Sequence, residues 1–256
     1  EALGAAVPSF AHHGLVLDRE GKKLSKRSGA LGNPDCMQRG LEPLAVVHYL
    51  ASLSGALPTK KLYENLDDMA RDFAPAALGR GSAVMSLDEL EHLSTRYFRA
   101  ARAQDVCQRL CELVSASDPW HGLDAAWQEE VVVQLRENAS TSGELCGQLK
   151  FFTQPEIAYT PTVLHELLDC QTVLQALDTA LAHYDHAQRL SADEAGQVFR
   201  QVATATATKG RALYHPIRLA LTGIQAGPEL TALMTLLPVA WLRQRLHAPL
   251  TLKSKE

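Results

Sequence analysis

Hydrophobic positions in this chain recur mostly at helical spacing. Leu41, Leu44, Ala45, Val47 and Leu50 fit one stripe, which predicts a helix ended by "SGALPT" at 54–59, where Gly and Pro interrupt it. "SLDEL" at 86–90 reads as a capping box: Ser86 can accept from the helix-start amides while Glu89 reaches back to the Ser86 amide. The helix predicted behind it runs through Leu90, Leu93, Tyr97 and Phe98. "SDPW" (117–120) starts a further helical region carrying Trp127, Val131 and Leu135. Thr141 with Glu144, and Ser191 with Glu194, repeat the box. Pro161 stands at a predicted first helical position, where its missing N–H costs no bond. "GPEL" (227–230) is read as opening the last helix in the same way. Period-two alternation is nearly absent beyond about residue 60. Upstream, "FAHHGLVLD" reads as a short strand running into a "DREG" turn. The pattern predicts a mainly α protein with a small α/β region at its start. Loops rich in Gly, Pro and Ser near 54–59, 79–86 and 153–162 are the candidate boundaries.

Charge changes this picture more than composition does. The chain is 46% hydrophobic and 21% charged, ordinary for a soluble protein, and carries a net charge of −4. Residues 1–29 hold five basic and three acidic side chains, residues 30–185 eleven and 22, and residues 186–256 nine and four. Both ends are basic and the middle is acidic, so a polyanion could touch the ends while the middle stays solvated. Chance clustering on solvated faces is the alternative. No apolar run approaches the ~18 residues of a membrane helix, and the start has neither a basic leader nor an apolar core. Five cysteines without a CxxC pair suit neither a disulfide framework nor a zinc knuckle, and buried reduced thiols in the cytoplasm are expected.

Two stretches hold the candidate chemistry. "DREGKKLSKRSG" (18–29) has five Lys or Arg among small residues; ammonium groups suit phosphate oxygens, and Gly and Ser let backbone approach a ligand. It lacks the Walker A pattern, so nucleotide or nucleic-acid contact stands beside a plain solvated turn. "TKGRALYHPIRLALTGIQAGPEL" (208–230) places Lys209, Arg211 and Arg218 around a break expected at Pro216, followed by a Gly223 turn. A planar, bidentate guanidinium such as that of Arg218 suits base edges or phosphate, and free amides at a helix start near Gly227–Pro228 suit anions. A purely structural helix-turn-helix corner is the competing reading. His183 and His186, three apart on an expected helix, have no third ligand at a diagnostic spacing, so no metal is assigned. No nucleophile elbow or paired-carboxylate motif is recognisable.

Together the two stretches resemble bacterial glutamyl-tRNA synthetases, of class I. "KLSKR" (23–27) is similar to the KMSKS-type signature of that family, and "KGRALYHPIRLALTG…GPEL" (209–230) to the closing signature of its anticodon-binding region. The order and separation of the motifs also fit. The resemblance covers essentially the whole chain, strongly at the ends and weakly in the middle. It implies a stem-contact region over 1–75 with the basic loop, then two helical anticodon-binding subdomains over 76–155 and 156–256. It also implies that Lys23, Ser25 and Lys26 serve ATP, with Lys26 stabilising charge that develops on the phosphates as glutamyl-adenylate forms. Arg218 would contact anticodon bases beside the turn of Gly227, Pro228 and Leu230, with Lys209 and Arg211 as further tRNA-backbone contacts. Gly227 stands where one family member has a threonine, which leaves backbone readout there.

Two departures qualify the resemblance. The HIGH signature, the glutamate pocket and the acceptor-stem domain of the family lie upstream of the basic loop, where this chain has only about 22 residues. The expectation is a carboxyl-terminal half whose ATP and Mg2+ chemistry belongs to the full-length enzyme with its N-terminal catalytic domain. No cofactor is expected on this portion alone, which is not expected to be active. A stand-alone truncated paralogue acting as an RNA-binding or regulatory protein, and a helical protein-binding scaffold, are the other classes. Second, Asn138 stands where the family often has an arginine that helps separate glutamate tRNA from glutamine tRNA. Relaxed discrimination between these two partners is therefore expected.

Overall fold

The computed structural model describes Gly4, residues 14–24 and residues 32–251. The chain divides into two compact units, Glu1–Ala101 and Arg102–Glu256. Among the described residues it is mainly α-helical, with one two-stranded sheet.

The first unit starts with β1 (Val16–Leu17), which pairs in parallel with β2 (Ala83–Val84), Val16 opposite Ala83. The chain reverses after β1 through the expected turn: the Gly21 amide donates to the Asp18 carbonyl at 3.0 Å and Gly21 takes a φ of 77°. Its return brings Lys23 into an antiparallel bridge with Leu17. β2 was not legible in the sequence, because two residues are too few to show an alternation.

Among its described residues the unit also holds four α-helices, α1 (Asn33–Gln38), α2 (Pro43–Leu53), α3 (Leu66–Asp72) and α4 (Leu87–Ala100), and a 3-10 turn at Pro75–Ala77. α4 buries Leu90, Leu93, Tyr97 and Phe98 as its spacing predicts. α2 corrects the predicted stripe. Ala45, His48 and Tyr49 face the core, whereas Val47 and Leu50 are 44% and 47% exposed. Polar side chains on α2 take the core-facing places because partners await them. His48, fully buried, has Nε2 2.9 Å from the Pro58 carbonyl and Nδ1 3.0 Å from the Tyr97 hydroxyl, which itself accepts from the Tyr63 amide. Buried polar groups are tolerated when paired in this way.

The second unit runs α5 (Ala103–Leu113), α6 (Ala125–Leu135), α7 (Ser142–Thr153), α8 (Pro161–Leu168), α9 (Gln171–Leu181), α10 (Ala192–Thr206), α11 (Arg211–Thr222), α12 (Leu230–Leu236) and α13 (Val239–Leu250). "SDPW" forms a 3-10 turn, Pro119–Gly122, ahead of α6 rather than the helix itself. α9 packs against α10, α11 and α13. Its Leu174, Leu177 and Leu181 are wholly buried at i, i+3 and i+7, the stripe of a core helix. Each such leucine contributes roughly 1.5–3 kcal/mol by burial.

Three local expectations are revised here. Pro216, the sixth of the twelve residues of α11, lies in the helix interior without ending it; a proline there forfeits one i→i−4 bond, and the buried face it shares with Leu213, Ile217 and Ala220 holds the helix together across it. Pro228 precedes α12, whose N-cap is Glu229, and α13 follows, so "GPEL" does not open the last helix. His183 and His186 fall beyond the end of α9 at Leu181, both exposed, and do not share a helix.

Candidate nucleic-acid interface

α11 and the turn that follows it bring most of the sequence candidates together. The entry to α11 is set by Gly210 with a φ of 58°. Lys209 and Arg211 flank this entry and both are exposed. The helix ends at Gly223, which takes a φ of 70° while its amide donates to the Leu219 carbonyl at 2.8 Å. A Cβ at Gly223 would lie 2.5 Å from the carbonyl oxygen of Ala158, so the close approach admits only glycine. Thr222 stitches the corner: its hydroxyl lies 2.7 Å from the Arg218 carbonyl and accepts from the Ile224 amide at 3.3 Å.

Arg218 spans the turn. Its Nη1 donates to the Pro228 carbonyl at 2.5 Å and to the Gly227 carbonyl at 3.2 Å. The side chain is half-buried and so held in one orientation at the mouth of the turn. Gly227 is exposed, whereas Pro228 and Leu230 are buried. A side chain at 227 would meet Ile224 Cδ1 at 3.3 Å, a flexible tip that can give way. Asn138 is exposed and sits in a separate 3-10 turn, Arg136–Asn138, after α6.

One residue on this surface was missed by the sequence reading. Tyr214 is 44% exposed and lies between Arg211 and Arg218 at i, i+3 and i+7 of α11, where side chains share a face. Its ring meets Phe199 edge-on, 5.5 Å between centroids, which fixes its pose. An exposed aromatic ring among cations can stack an unpaired base. The Arg-x-x-Tyr-x-x-x-Arg spacing was the available signal. Beside it, His215 and Glu166 pair at 2.7 Å.

In the first unit Lys23 is exposed at the mouth of the β1 turn. Ser25 and Lys26 lie outside the described residues. The turn is tied to the start of α4, since Arg19 donates to Ser86 Oγ at 2.9 Å and pairs with Asp88. Among the described residues no three metal-ligating side chains cluster, and no helix is long and apolar enough to cross a membrane.

The fold and this surface define a helical domain that presents one fixed arginine, Arg218, at a helix-ending turn and an exposed aromatic ring on the helix before it. A family profile described as "Anticodon binding domain" matches residues 100–250, and the chain belongs to that family. Glutamate–tRNA ligases are similar along nearly the whole chain. That of Synechococcus sp. (strain JA-3-3Ab) is 31% identical over 96% of this chain and 53% of its own length. Glutamate–tRNA ligase 1 of Rhizorhabdus wittichii is 34% identical over 96% and 50%. The chain thus spans about half the length of the curated relatives it matches. A crystal structure of a glutamate tRNA ligase from Elizabethkingia meningosepticum in complex with its amino acid shares the fold. Its TM-score is 0.76 at 19% identity, covering 98% of this chain and 53% of that one.

Proposed function

We propose that the chain is the tRNA-reading portion, from the KMSKS-type loop onward, of a glutamate–tRNA ligase. The finer partition belongs to the same proposal: a stem-contact region to residue 75, then anticodon-binding subdomains that meet near 155. In the whole enzyme, working in the cytoplasm with ATP and Mg2+, an N-terminal catalytic domain would bind glutamate and form the adenylate. Lys23, Ser25 and Lys26 would serve the ATP phosphates there. Arg218 with the Gly227–Leu230 turn would read anticodon bases, and Lys209 and Arg211 would neutralise backbone phosphate. Asn138, short and uncharged, would leave glutamate and glutamine tRNAs poorly separated.

The observation that carries this reading is the fixed guanidinium of Arg218 on the Gly227 and Pro228 carbonyls, inside the matched family span. A half-buried, pre-oriented arginine loses little freedom on binding. Its planar fork suits a base edge, and the bases of an RNA loop are unstacked and accessible.

The test is a titration of this chain, at two salt concentrations, with glutamate tRNA, glutamine tRNA and an anticodon-swapped transcript. Binding should weaken with salt, because neutralised phosphates release counterions. It should also weaken on the swap. Arg218→Ala should lose about 1–3 kcal/mol and most of the anticodon preference. The glutamate and glutamine tRNAs should bind within a hundredfold of each other. Binding indifferent to the anticodon would sink the reading, and a larger separation of the two tRNAs would sink the role given to Asn138.

A further inference from the structure

Arg245, on α13, is only 2% exposed. Among the described residues, every bond from its guanidinium ends on a main-chain carbonyl. Nε donates to Pro155 at 3.1 Å, Nη1 to Leu221 at 3.1 Å, and Nη2 to Phe151 at 2.7 Å and Gln154 at 2.5 Å. Phe151 and Gln154 belong to the last turn and cap of α7, and Leu221 to the last turn of α11. Carbonyls at helix C-termini lack intrahelical donors and carry the negative end of the helix dipole. One cation therefore serves two helix ends at once. Burial pushes its pKa down to about 10, which leaves it charged at neutral pH.

Tyr159 closes the cluster, its hydroxyl lying 2.6 Å from the carbonyls of both Ala220 and Arg245. The neighbouring Ala158 carbonyl is the wall against which Gly223 turns, and the Phe151 ring lies 3.9 Å from where a Cβ on Gly227 would stand. The end of α7, the 154–159 connection and the end of α11 thus converge on one side chain of α13. What they hold between them is the start of the Gly223–Glu229 turn.

We infer that Arg245 is the positioning residue of that turn: it fixes where α11 ends, and so where Arg218 and Gly227 face an RNA loop. This rests on the anticodon reading above. Bulk filling does not explain the choice of residue. An apolar side chain would occupy the space without the cost of a buried charge, but it would strand four carbonyls without donors. Lysine keeps the charge, yet its three donors radiate from one point and cannot span carbonyls arranged around a planar fork.

The deciding experiment titrates the wild-type chain and Arg245→Lys with glutamate tRNA and with its anticodon-swapped transcript, with helical circular dichroism followed alongside. The quantity read is the ratio of the two dissociation constants. Arg245→Lys should keep its helical signal and its salt dependence while the ratio falls at least about tenfold toward one. A purely structural role lowers the active fraction equally for both RNAs and leaves the ratio intact; that result overturns the positioning role alone. A wild-type ratio near one overturns the anticodon reading and the positioning role together. Should Arg245→Lys fail to fold, Arg245→Gln takes its place, since its amide carries two N–H donors and cannot serve all four carbonyls. A fall in its ratio supports the proposal, and an unchanged ratio overturns it.

Discussion

At Gly223 the backbone takes a φ of 70°, and a Cβ there would sit 2.5 Å from the Ala158 carbonyl oxygen. Replacing Gly223 with alanine therefore adds left-handed strain to a collision with backbone, which cannot swing aside as a side-chain tip can. Gly223→Ala is expected to cost about 1–3 kcal/mol from strain alone, read as a lowered urea midpoint. Gly227→Ala should be milder, because its nearest neighbour is the movable end of Ile224. Equal losses at the two positions would contradict this geometry. The same pair shows what a sequence reveals at this scale. The Gly223 turn was legible because glycine after a helical run has few other uses. The strap from Arg218 to the Gly227 and Pro228 carbonyls was not, because a residue's composition says nothing of which carbonyls lie within reach nine or ten positions away.

Helix ends show where local pattern suffices and where tertiary contacts intervene. The box at Ser191 forms completely: the Ser191 amide donates to Glu194 at 2.7 Å, and the Glu194 amide to the Ser191 hydroxyl at 3.3 Å. At Thr141 the return bond shifts by one residue, since Glu144 accepts from the Ser140 amide instead. At Ser86 a third residue inserts. The Tyr49 hydroxyl accepts from the Ser86 amide at 2.7 Å and lies 3.2 Å from Glu89 Oε2, completing the box through a side chain from α2. No local reading could anticipate that tyrosine. The complete box has a pH signature. Bonds from the Ser191 amide and hydroxyl hold the Glu194 carboxyl below its ordinary 4.5. A depressed carboxyl pKa favours the fold only while the group is ionised. Its contribution is full above the ordinary value and is lost as pH falls through the lowered one. Glu194→Gln should therefore melt below wild type at neutral pH, and the gap should close in acid. A gap that persists unchanged into acid would contradict the assignment.

Each unit carries a core of its own. Ala45, Tyr49, Leu90, Leu93 and Tyr97 pack together within Glu1–Ala101, while the leucines of α9 are buried within Arg102–Glu256. The second unit has a size typical of domains that fold alone. It also contains Arg218, the Gly223–Glu229 turn, Asn138, Arg245 and Tyr159, whereas Lys23, Ser25 and Lys26 belong to the first. The whole-molecule expectation is that residues 102–256 fold without the first unit. They should give a cooperative melt and keep the ratio between native and swapped anticodons, because every group assigned to that readout lies within them. Total affinity should fall, and with it the steepness of the salt dependence, to the extent that the basic residues of the first unit touch phosphate. A fragment that folds but has lost the ratio would mean that the anticodon-reading surface draws on residues before 102. A fragment that cannot fold would mean that the core of the second unit depends on the first.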